Sequence, residues 1–236
     1  MNDHIEFETL LPDLIPMVPG APDSLIISQI RAAAIDFCEK SEVYNVDLER
    51  LTTIPNIFEY ELPLPKHTTC HRIMQVAYQG RDLEPISNLL LDQRKPDWRN
   101  KTGTPEYFVK QRSNYIWLAP VPSQLEPIST HVRACLKPVH DAQGIVDWMM
   151  NDYRDDIVNG TLFRLLRMPS KAWSDEIRSG ANKAAPSNMY GALYQEGINA
   201  AKLRSRQADM AVARKTRYAG VTSGTSIRFR GYKSNN

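Results

Sequence analysis

The stretch from residue 145 to residue 218 most constrains the fold, because it has the pattern of two long helices with a break between them. In 145–168, apolar side chains recur at helical spacing, and acidic or amide side chains fill most of the other face. Pro169 ends this helix, since proline lacks a backbone N–H and crowds the preceding turn. The second helix is clearest from 189 to 217. We therefore predict two long helices that each bury one face.

One face of the second helix carries small and aromatic side chains about one turn apart. Small side chains allow another helix to come close, so this face is suited to packing within the chain or against a neighbouring subunit. The residues predicted for this subunit and helix packing are Tyr190, Tyr194, Gly197, Ile198 and Ala201.

Positive charge is concentrated towards the end of the sequence. Residues 202–236 contain nine Lys or Arg and one acidic residue, Asp209, a net charge of +8. The whole chain has a formal net charge of +2, so residues 1–201 together carry −6. A basic end on an acidic body favours contact with an acidic protein surface or with nucleic acid. A solvated tail without a role is the alternative.

The middle of the chain, 44–138, changes from helical to alternating patterning. The Gln79-Gly80 pair between two alternating segments predicts one hairpin, and a turn at 112–114 predicts a second. With the remaining alternating segments we expect about five to seven strands, enough for a small sandwich or barrel.

These patterns together predict an α+β fold. We expect a helical bundle formed by both ends of the chain, 1–42 and 141–218, with a β-sandwich or barrel-like module inserted at 43–140 and an extended arm at 219–236. The arm is rich in Gly, Ser and Thr until a segment that alternates apolar and polar residues. Such a segment is suited to adding itself to a partner protein as a strand. The residues predicted to dock are Ile227, Arg228, Phe229, Arg230, Tyr232 and Lys233.

The histidines and cysteines of the β region offer one candidate metal site, and geometry argues against it. The candidate ligands are His67, Cys70, His71, His131 and Cys135. His131 and Cys135 share a face of a strand, but four residues place them about 13 Å apart, which is too far for one tetrahedral ion. We predict no metal site.

No known catalytic pattern is present. Asp152, Asp155 and Asp156 could hold Mg²⁺ or act as acid and base, but they lie on the polar face of a predicted helix, where a solvated or interface role is simpler. The sequence contains no Gly-x-x-x-x-Gly-Lys loop, no Gly-x-Ser-x-Gly elbow, no His-Glu-x-x-His pair and no dinucleotide-binding fingerprint. We predict that the protein is not an enzyme and binds no cofactor.

The cysteine spacing and the lengths of the apolar runs indicate in which cellular environment the protein folds and whether it enters a membrane. Cys38, Cys70 and Cys135 stand far apart, which fits a reduced intracellular environment rather than a disulfide framework. The first ten residues lack a signal-peptide pattern, and no apolar run approaches the roughly 20 residues that span a bilayer. We expect a soluble protein without a membrane partner.

A non-specific DNA-binding accessory protein is the alternative function. The basic end can contact phosphates through charge alone. The cations at 202, 204 and 206 do not form a single helical stripe, and only Phe229 and Tyr232 lie among arginines. This is not the pattern of a protein that reads bases.

Several stretches, in order over roughly residues 5–175, resemble the head-to-tail adaptor (connector) proteins of tailed bacteriophages. They are FETLLPDLIPMVPGAPDSL (7–25), IRAAAIDFCEKS (30–41), YELPLP (60–65), PDWR (96–99), TGTP (102–105), LKP (136–138) and DDIVNGTLFRLLRMPSKAW (155–173). The chain departs from the family at Thr161, where an alanine is common, and at 174–191 with Pro186, where the family has a continuous helix.

The resemblance implies a structural virion protein, made in the host cytoplasm during assembly. Adaptors of this kind form a dodecameric ring below the portal protein, join it to the nozzle or tube protein of the tail, and surround the channel through which genomic DNA passes. The predicted arm would then dock on the portal. The differences from the family at Thr161 and 174–191 bear on where the last helix begins and how long it is.

Overall fold

The computed structural model describes residues 4–112, 114–179 and 189–222, with the side chains of 176, 177 and 207–222 excepted. The helices in this part of the chain are α1 (Leu11–Leu14), α2 (Asp23–Ser41), α3 (Asn88–Arg94), α4 (Asp147–Asp152), α5 (Arg154–Leu166), α6 (Glu176–Ser179) and α7 (Tyr190–Thr222). Short 3-10 turns at Phe7–Leu10 and Ile15–Met17 flank α1.

The strands of the described residues are mostly short. They are β1 (His4–Glu6), β2 (Asn45–Asp47), β3 (Leu51–Thr53), β4 (Glu59–Glu61), β5 (Thr68–Tyr78), β6 (Arg81–Asp82), β7 (Glu84–Pro85), β8 (Thr102–Gly103), β9 (Tyr107–Lys110), β10 (Tyr115–Ala119), β11 (Val121–Pro122), β12 (Glu126–Pro138) and β13 (Gly144–Val146). β5 and β12, with 11 and 13 residues, are the longest and pair antiparallel along their length.

The largest sheet has the order β2-β12-β5-β6, with β3 paired to another part of β12. This sheet is curled. The pairing of β12 with β5 shifts register between Arg133 and Ala134 and again between Cys135 and Leu136. Bulges of this kind bend a strand and increase its twist, so they account for part of the curl.

Two groups of buried side chains hold the fold together. The larger core is continuous and combines side chains of both the curled sheet and the second sheet with those of α2, α5 and α7. The smaller core lies with the second sheet, of order β4-β10-β9-β7, and contains Ile86, Leu91, Trp98, Val109 and Ala119. The chain therefore has a main core shared by helices and sheet, and a satellite core formed by strands, α3 and the following loop.

The fold is mixed α+β, but the prediction of a helical bundle with an inserted sandwich or barrel is wrong. No bundle is evident among the described residues; α2 instead packs against β12 of the curled sheet as well as against α5 and α7. The buried residues of α2 include the neighbours Ala33 and Ala34, and Phe37 and Cys38, so more than one face of the helix is covered. Amphipathic spacing shows that a helix buries a face, but it does not show whether a helix or a sheet covers that face.

The first of the two predicted long helices is divided in the structure. Residues Gly144–Val146 form β13, which pairs antiparallel with β1, and α4 and α5 follow with a break at Tyr153. A Cβ atom at Gly144 would collide with the carbonyl oxygen of Ile5, so only glycine allows the two strands to approach this closely. The pairing of His4 with Val146 joins residues that no local pattern connects.

Other expectations from the sequence are met. Gln79 and Gly80 both have positive φ and form the turn between β5 and β6, as predicted. β9 and β10 form the second predicted hairpin. α7 continues to Thr222 and so includes the first four residues of the predicted arm, 219–222. The proposed division of the chain into four segments stays a prediction.

No helix in the described part of the chain combines the length and apolar character needed to cross a membrane. The three cysteines, Cys38, Cys70 and Cys135, are all buried free thiols.

Candidate assembly interface

The crossing of α5 and α7 is a close helix contact, and it contains most residues of the predicted packing face. Glycines let the two helices approach. A Cβ atom at Gly160 would lie 2.6 Å from Cε2 of Tyr194, and one at Gly191 would lie 2.9 Å from Cδ2 of Phe163. A glycine on each helix thus receives an aromatic ring from the other.

Tyr194 connects three helices. Its hydroxyl oxygen lies 3.0 Å from the backbone oxygen of Ala33 and 2.9 Å from Oδ2 of Asp36, both on α2. The same carboxylate accepts from Lys40 at 2.8 Å and lies 3.7 Å from Nη2 of Arg164 on α5. Burial, and then the Asp36 carboxylate, raise the pKa of the Tyr194 phenol far above its ordinary value, so the hydroxyl stays protonated and donates.

Gly197 of α7 receives the side chain of Asp156 from α5. A Cβ atom at position 197 would collide with Oδ1 of Asp156, so the carboxylate lies directly on the glycine backbone. Burial, and then the neighbouring Asp155, raise the pKa of Asp156, while Arg204 opposes the shift. The sequence predicts a solvated or interface face for Asp156, and the structure places this side chain half-buried between two helices.

The other predicted packing residues lie in the main core. Tyr194, Ile198 and Ala201 are buried, with exposures of 4, 2 and 0%. Tyr190 is partly buried against the same core. These side chains therefore pack against α2 and α5 within their own chain. Contact of this face with a neighbouring subunit stays a prediction.

A group of exposed apolar residues, which no pattern in the sequence indicated, lies at one end of the curled sheet. The apolar tip consists of Ile54, Ile57, Leu125 and Ile128, whose side chains are 41–63% exposed. Pairing of β3 with the beginning of β12 brings these residues together, since Thr53 lies opposite Glu126. Alternation of apolar and polar residues predicts strands, but it does not show which part of a strand extends beyond the core. It therefore could not indicate that these apolar residues are exposed.

Backbone strain distinguishes the apolar tip from ordinary exposed apolar residues. Ile128 has a φ of +53°, in the left-handed region that β-branched residues rarely adopt. It lies where β12 changes register against β3, between the pairs Glu126–Thr53 and Thr130–Leu51. Strained backbone combined with an exposed apolar side chain is typical of contact sites.

Trp98, in the Pro-Asp-Trp-Arg stretch that contributes to the family resemblance, lies in the satellite core. Nε1 of Trp98 donates to Oδ1 of Asp92 at 2.8 Å, and Nη1 of Arg99 donates to the same oxygen at 2.9 Å. The Arg99 guanidinium also lies 4.5 Å from the centre of the Trp98 ring. Trp117 packs beside Trp98 at 5.7 Å between ring centres. These contacts give the stretch a structural role.

A comparison with protein families identifies the chain. The model of the family described as SU10 adaptor protein matches residues 6–218, from the end of β1 to near the end of α7. The chain belongs to this family. No curated protein matches it closely enough to be reported. The resemblance to phage head-to-tail adaptors is thereby confirmed at the level of the family, and the adaptor has a structural role between the head and the tail of a phage virion.

The candidate metal ligands of the adaptor do not come together. Cys70 and Cys135 are buried, whereas His131 lies on the surface with Nε2 3.4 Å from Oδ1 of Asp47. Burial raises the pKa of Cys135 to about 12 and also raises that of Cys70. Within the described residues, no group of three or more His, Cys, Asp or Glu has the arrangement of a metal site.

The basic end of the adaptor begins where α7 leaves the main core. Ser205 Oγ accepts a hydrogen bond from Nδ2 of Asn45 at 3.1 Å and lies 3.4 Å from the backbone oxygen of Glu42. α7 continues to Thr222, and its 33 residues make it about 50 Å long. The predicted docking residues, Ile227, Arg228, Phe229, Arg230, Tyr232 and Lys233, lie outside the described residues.

Proposed function

We propose that the adaptor forms a ring, a dodecamer as the resemblance implies, that joins the portal protein to the tail and surrounds the channel for genomic DNA. The observation that carries this proposal is the family match over residues 6–218, which spans nearly all of the described fold. A subunit that repeats around an axis makes one head-to-tail contact with each neighbour, and such contacts close into a ring when the rotation allows.

The arm at 219–236 supplies the contact with the portal in this proposal. Its charge is positive, and the segment Ile227, Arg228, Phe229, Arg230 alternates apolar with charged residues. An alternating segment can pair with an open sheet edge of a partner while its cations meet acidic groups. Because a ring presents many arms at once, a weak contact per subunit gives a firm attachment of the whole ring.

The lower partner in this proposal is the nozzle or tube protein of the tail. Assembly takes place in the host cytoplasm, and the finished ring is part of the virion. The shared core of α2, α5, α7 and the curled sheet supports this role, because such a core makes each subunit a rigid unit that can hold neighbours at a fixed spacing.

Removing residues 223–236 tests the arm directly. We expect the truncated adaptor to stay folded, because the described contacts between α7 and the rest of the chain extend only as far as about Ser205. We also expect it to lose association with purified portal rings. Association is measured by sedimentation and by electron micrographs of the mixture. A variant with Arg228, Arg230 and Lys233 changed to alanine separates the role of charge from that of the alternating apolar residues. Normal ring formation by the truncated adaptor on portals would refute the docking role.

Non-specific DNA binding remains the second candidate because residues 202–236 carry a net charge of +8. It predicts duplex affinity that falls steeply with salt. Changing Arg214, Lys215 and Arg217 to alanine would then make the slope of log affinity against log salt shallower by about 0.9 per lost phosphate contact. Unchanged affinity in this variant would exclude these residues as the DNA contact.

A further inference from the structure

A groove of about 570 Å³ lies between one edge of the curled sheet and the second sheet, beside the core that the two sheets share. One wall is formed by Arg72 and Ile73 of β5. The opposite wall is formed by residues 108–112, at the end of β9 and beyond, and Asn88 lies at the beginning of α3 nearby. Both walls are strand edges, so the groove has backbone on two sides.

The β5 wall is an open edge. β5 pairs with β12 over Thr68–Tyr78, whereas β6 pairs with β5 at Ala77 and Tyr78, at the far end of the strand. Residues 68–75 of β5 therefore pair with β12 along one edge, and none of the other described strands pairs with them along the opposite edge. An unpaired edge of this length presents backbone N–H and C=O groups to an added strand.

The β9 wall is open for a different reason. β9 pairs with β10 as far as Lys110, but its pairing with β7 ends at Phe108, because the chain turns into α3 at Asn88. Val109 and Lys110 thus have β10 on one side and the groove on the other. Asn88 borders this opening, and its side-chain oxygen is buried without a hydrogen-bond partner among the described residues.

The side chain of Lys110 crosses the groove from β9 to β5. Its Nζ donates to the backbone oxygen of Cys70 at 3.4 Å and to that of His71, both on β5. One lysine side chain therefore spans from one strand edge to the other and supplies a donor where a paired strand would place an N–H. A gap of this size suits one extended chain.

The charge of the groove selects its occupant. Arg72, Lys110 and Arg112 line it, and its described lining contains no Asp or Glu. Arg72 forms an ion pair with Glu42 at 3.0 Å, so Lys110 and Arg112 carry most of the uncompensated charge. Ile73 and Phe108 provide apolar surface between the cations. The complementary occupant is an extended segment that alternates acidic and apolar residues.

We propose that this groove binds such a segment from a partner protein as an added β-strand between β5 and β9. The segments 180–188 and 223–236 of another copy of this chain are not complementary, because they contain no Asp or Glu and carry Lys183, Arg228, Arg230 and Lys233. This surface is separate from the arm that docks on the portal, and its binding does not depend on ring formation.

Fluorescence anisotropy with two labelled nonapeptides tests the proposal on the intact chain. One peptide alternates glutamate with valine, and the other alternates lysine with valine. We expect the acidic peptide to bind and the lysine peptide to show no binding. We expect an acidic peptide N-methylated at alternate residues, which cannot pair on one edge, to bind at least tenfold more weakly.

A matched pair of charge reversals locates the contact. Arg112 is exposed, so Arg112→Glu leaves the fold intact and is expected to weaken binding of the acidic peptide at least fivefold. Lys171→Glu reverses an equally exposed cation outside the groove and is expected to leave binding unchanged. Thermal melting verifies that both variants are folded. Absence of binding by the acidic peptide, equal binding of the N-methylated peptide, or equal effects of the two variants would each overturn the proposal, whatever the outcome with portals.

Discussion

The aromatic ring of Tyr194 lies on the backbone of Gly160, so closely that a Cβ atom at position 160 would come within 2.6 Å of ring atom Cε2. The ring cannot move away, because its hydroxyl group is held by Ala33 and Asp36 on α2. A glycine on one helix and a tyrosine on another thus fix the relative position of α2, α5 and α7.

Gly160→Ala is therefore expected to destabilise the chain by about 1–3 kcal/mol, because an added methyl group in a tight core forces side chains or backbone to shift. The gain in helix propensity from glycine to alanine, up to about 1 kcal/mol, is too small to offset this. Urea denaturation of the isolated chain measures the effect. Gly103→Ala is the control, since its Cβ atom would lie 3.7 Å from Pro120, an ordinary contact. Equal stability of the two variants would contradict the packing described for Tyr194.

Asp156→Asn is expected to stabilise the chain at pH 7 and to have little effect near pH 3. Burial raises the folded-state pKa of Asp156 above its unfolded value, so ionisation opposes folding. This unfavourable contribution is fully present above the folded-state pKa and disappears below the unfolded value of about 3.9. The amide has the same shape and no charge. Thermal melting at both pH values checks the prediction.

The exposed Asp141 provides the matched control for that experiment, because Asp141→Asn makes the same chemical change away from the α5–α7 crossing. It is expected to alter stability by less than about 0.5 kcal/mol at either pH. A stabilisation by Asp156→Asn that is the same at pH 3 as at pH 7 would show that the carboxylate is not destabilised by its surroundings.

Trp98→Ala is expected to loosen the satellite core while the main core stays protected. Trp98 is 1% exposed, and removal of such a side chain costs about 3–5 kcal/mol in the core that contains it. Hydrogen exchange should become faster in α3, β9 and β10 but not in α2 and α5. Trp148→Ala serves as the control, since Trp148 is 38% exposed and contacts Tyr44 in the other part of the chain. Uniformly faster exchange in Trp98→Ala would show that the two cores unfold as one.

Ile128→Asn is expected to raise stability by about 1 kcal/mol, because asparagine tolerates the left-handed conformation that costs other residues about 1–2 kcal/mol. Urea denaturation measures the change. Leu125→Asn removes a similarly exposed apolar side chain of the apolar tip without relieving a positive φ, and it is expected to change stability by less than about 0.5 kcal/mol. A gain of the same size in both variants would mean that exposure, and not the backbone at Ile128, is the cause.

Local patterns in the sequence predicted local structure well. The turn at Gln79 and Gly80 and the long helix α7 follow from residue preferences within a few positions of each other. The helix bundle was wrong because the spacing of α2 is equally compatible with a sheet as its cover. β1 was missed because its three residues pair with β13, about 140 positions away in the sequence. The requirement for glycine at position 144 comes from this pairing and is not visible in the sequence around it.

At the candidate interface too, local features were predicted from the sequence and contacts between distant residues were not. Tyr194, Ile198 and Ala201, which their spacing predicts on a packing face, are buried in the main core with α2 and α5 of the same chain. Their contact with a neighbouring subunit stays a prediction. Asp156 was assigned to a solvated or interface face because it lies opposite the apolar stripe of its helix. The glycine that makes room for it lies on another helix, so no pattern within α5 could have indicated its burial.

The hydrogen bond between Tyr194 and Ala33 joins residues 161 positions apart, and this distance affects how the protein is made. α2 leaves the ribosome long before α5 and α7 exist to cover it. At about 5–20 residues per second, the face of α2 that α5 and α7 cover stays exposed for on the order of ten seconds or more. Translation products that stop before α5 are therefore expected to aggregate.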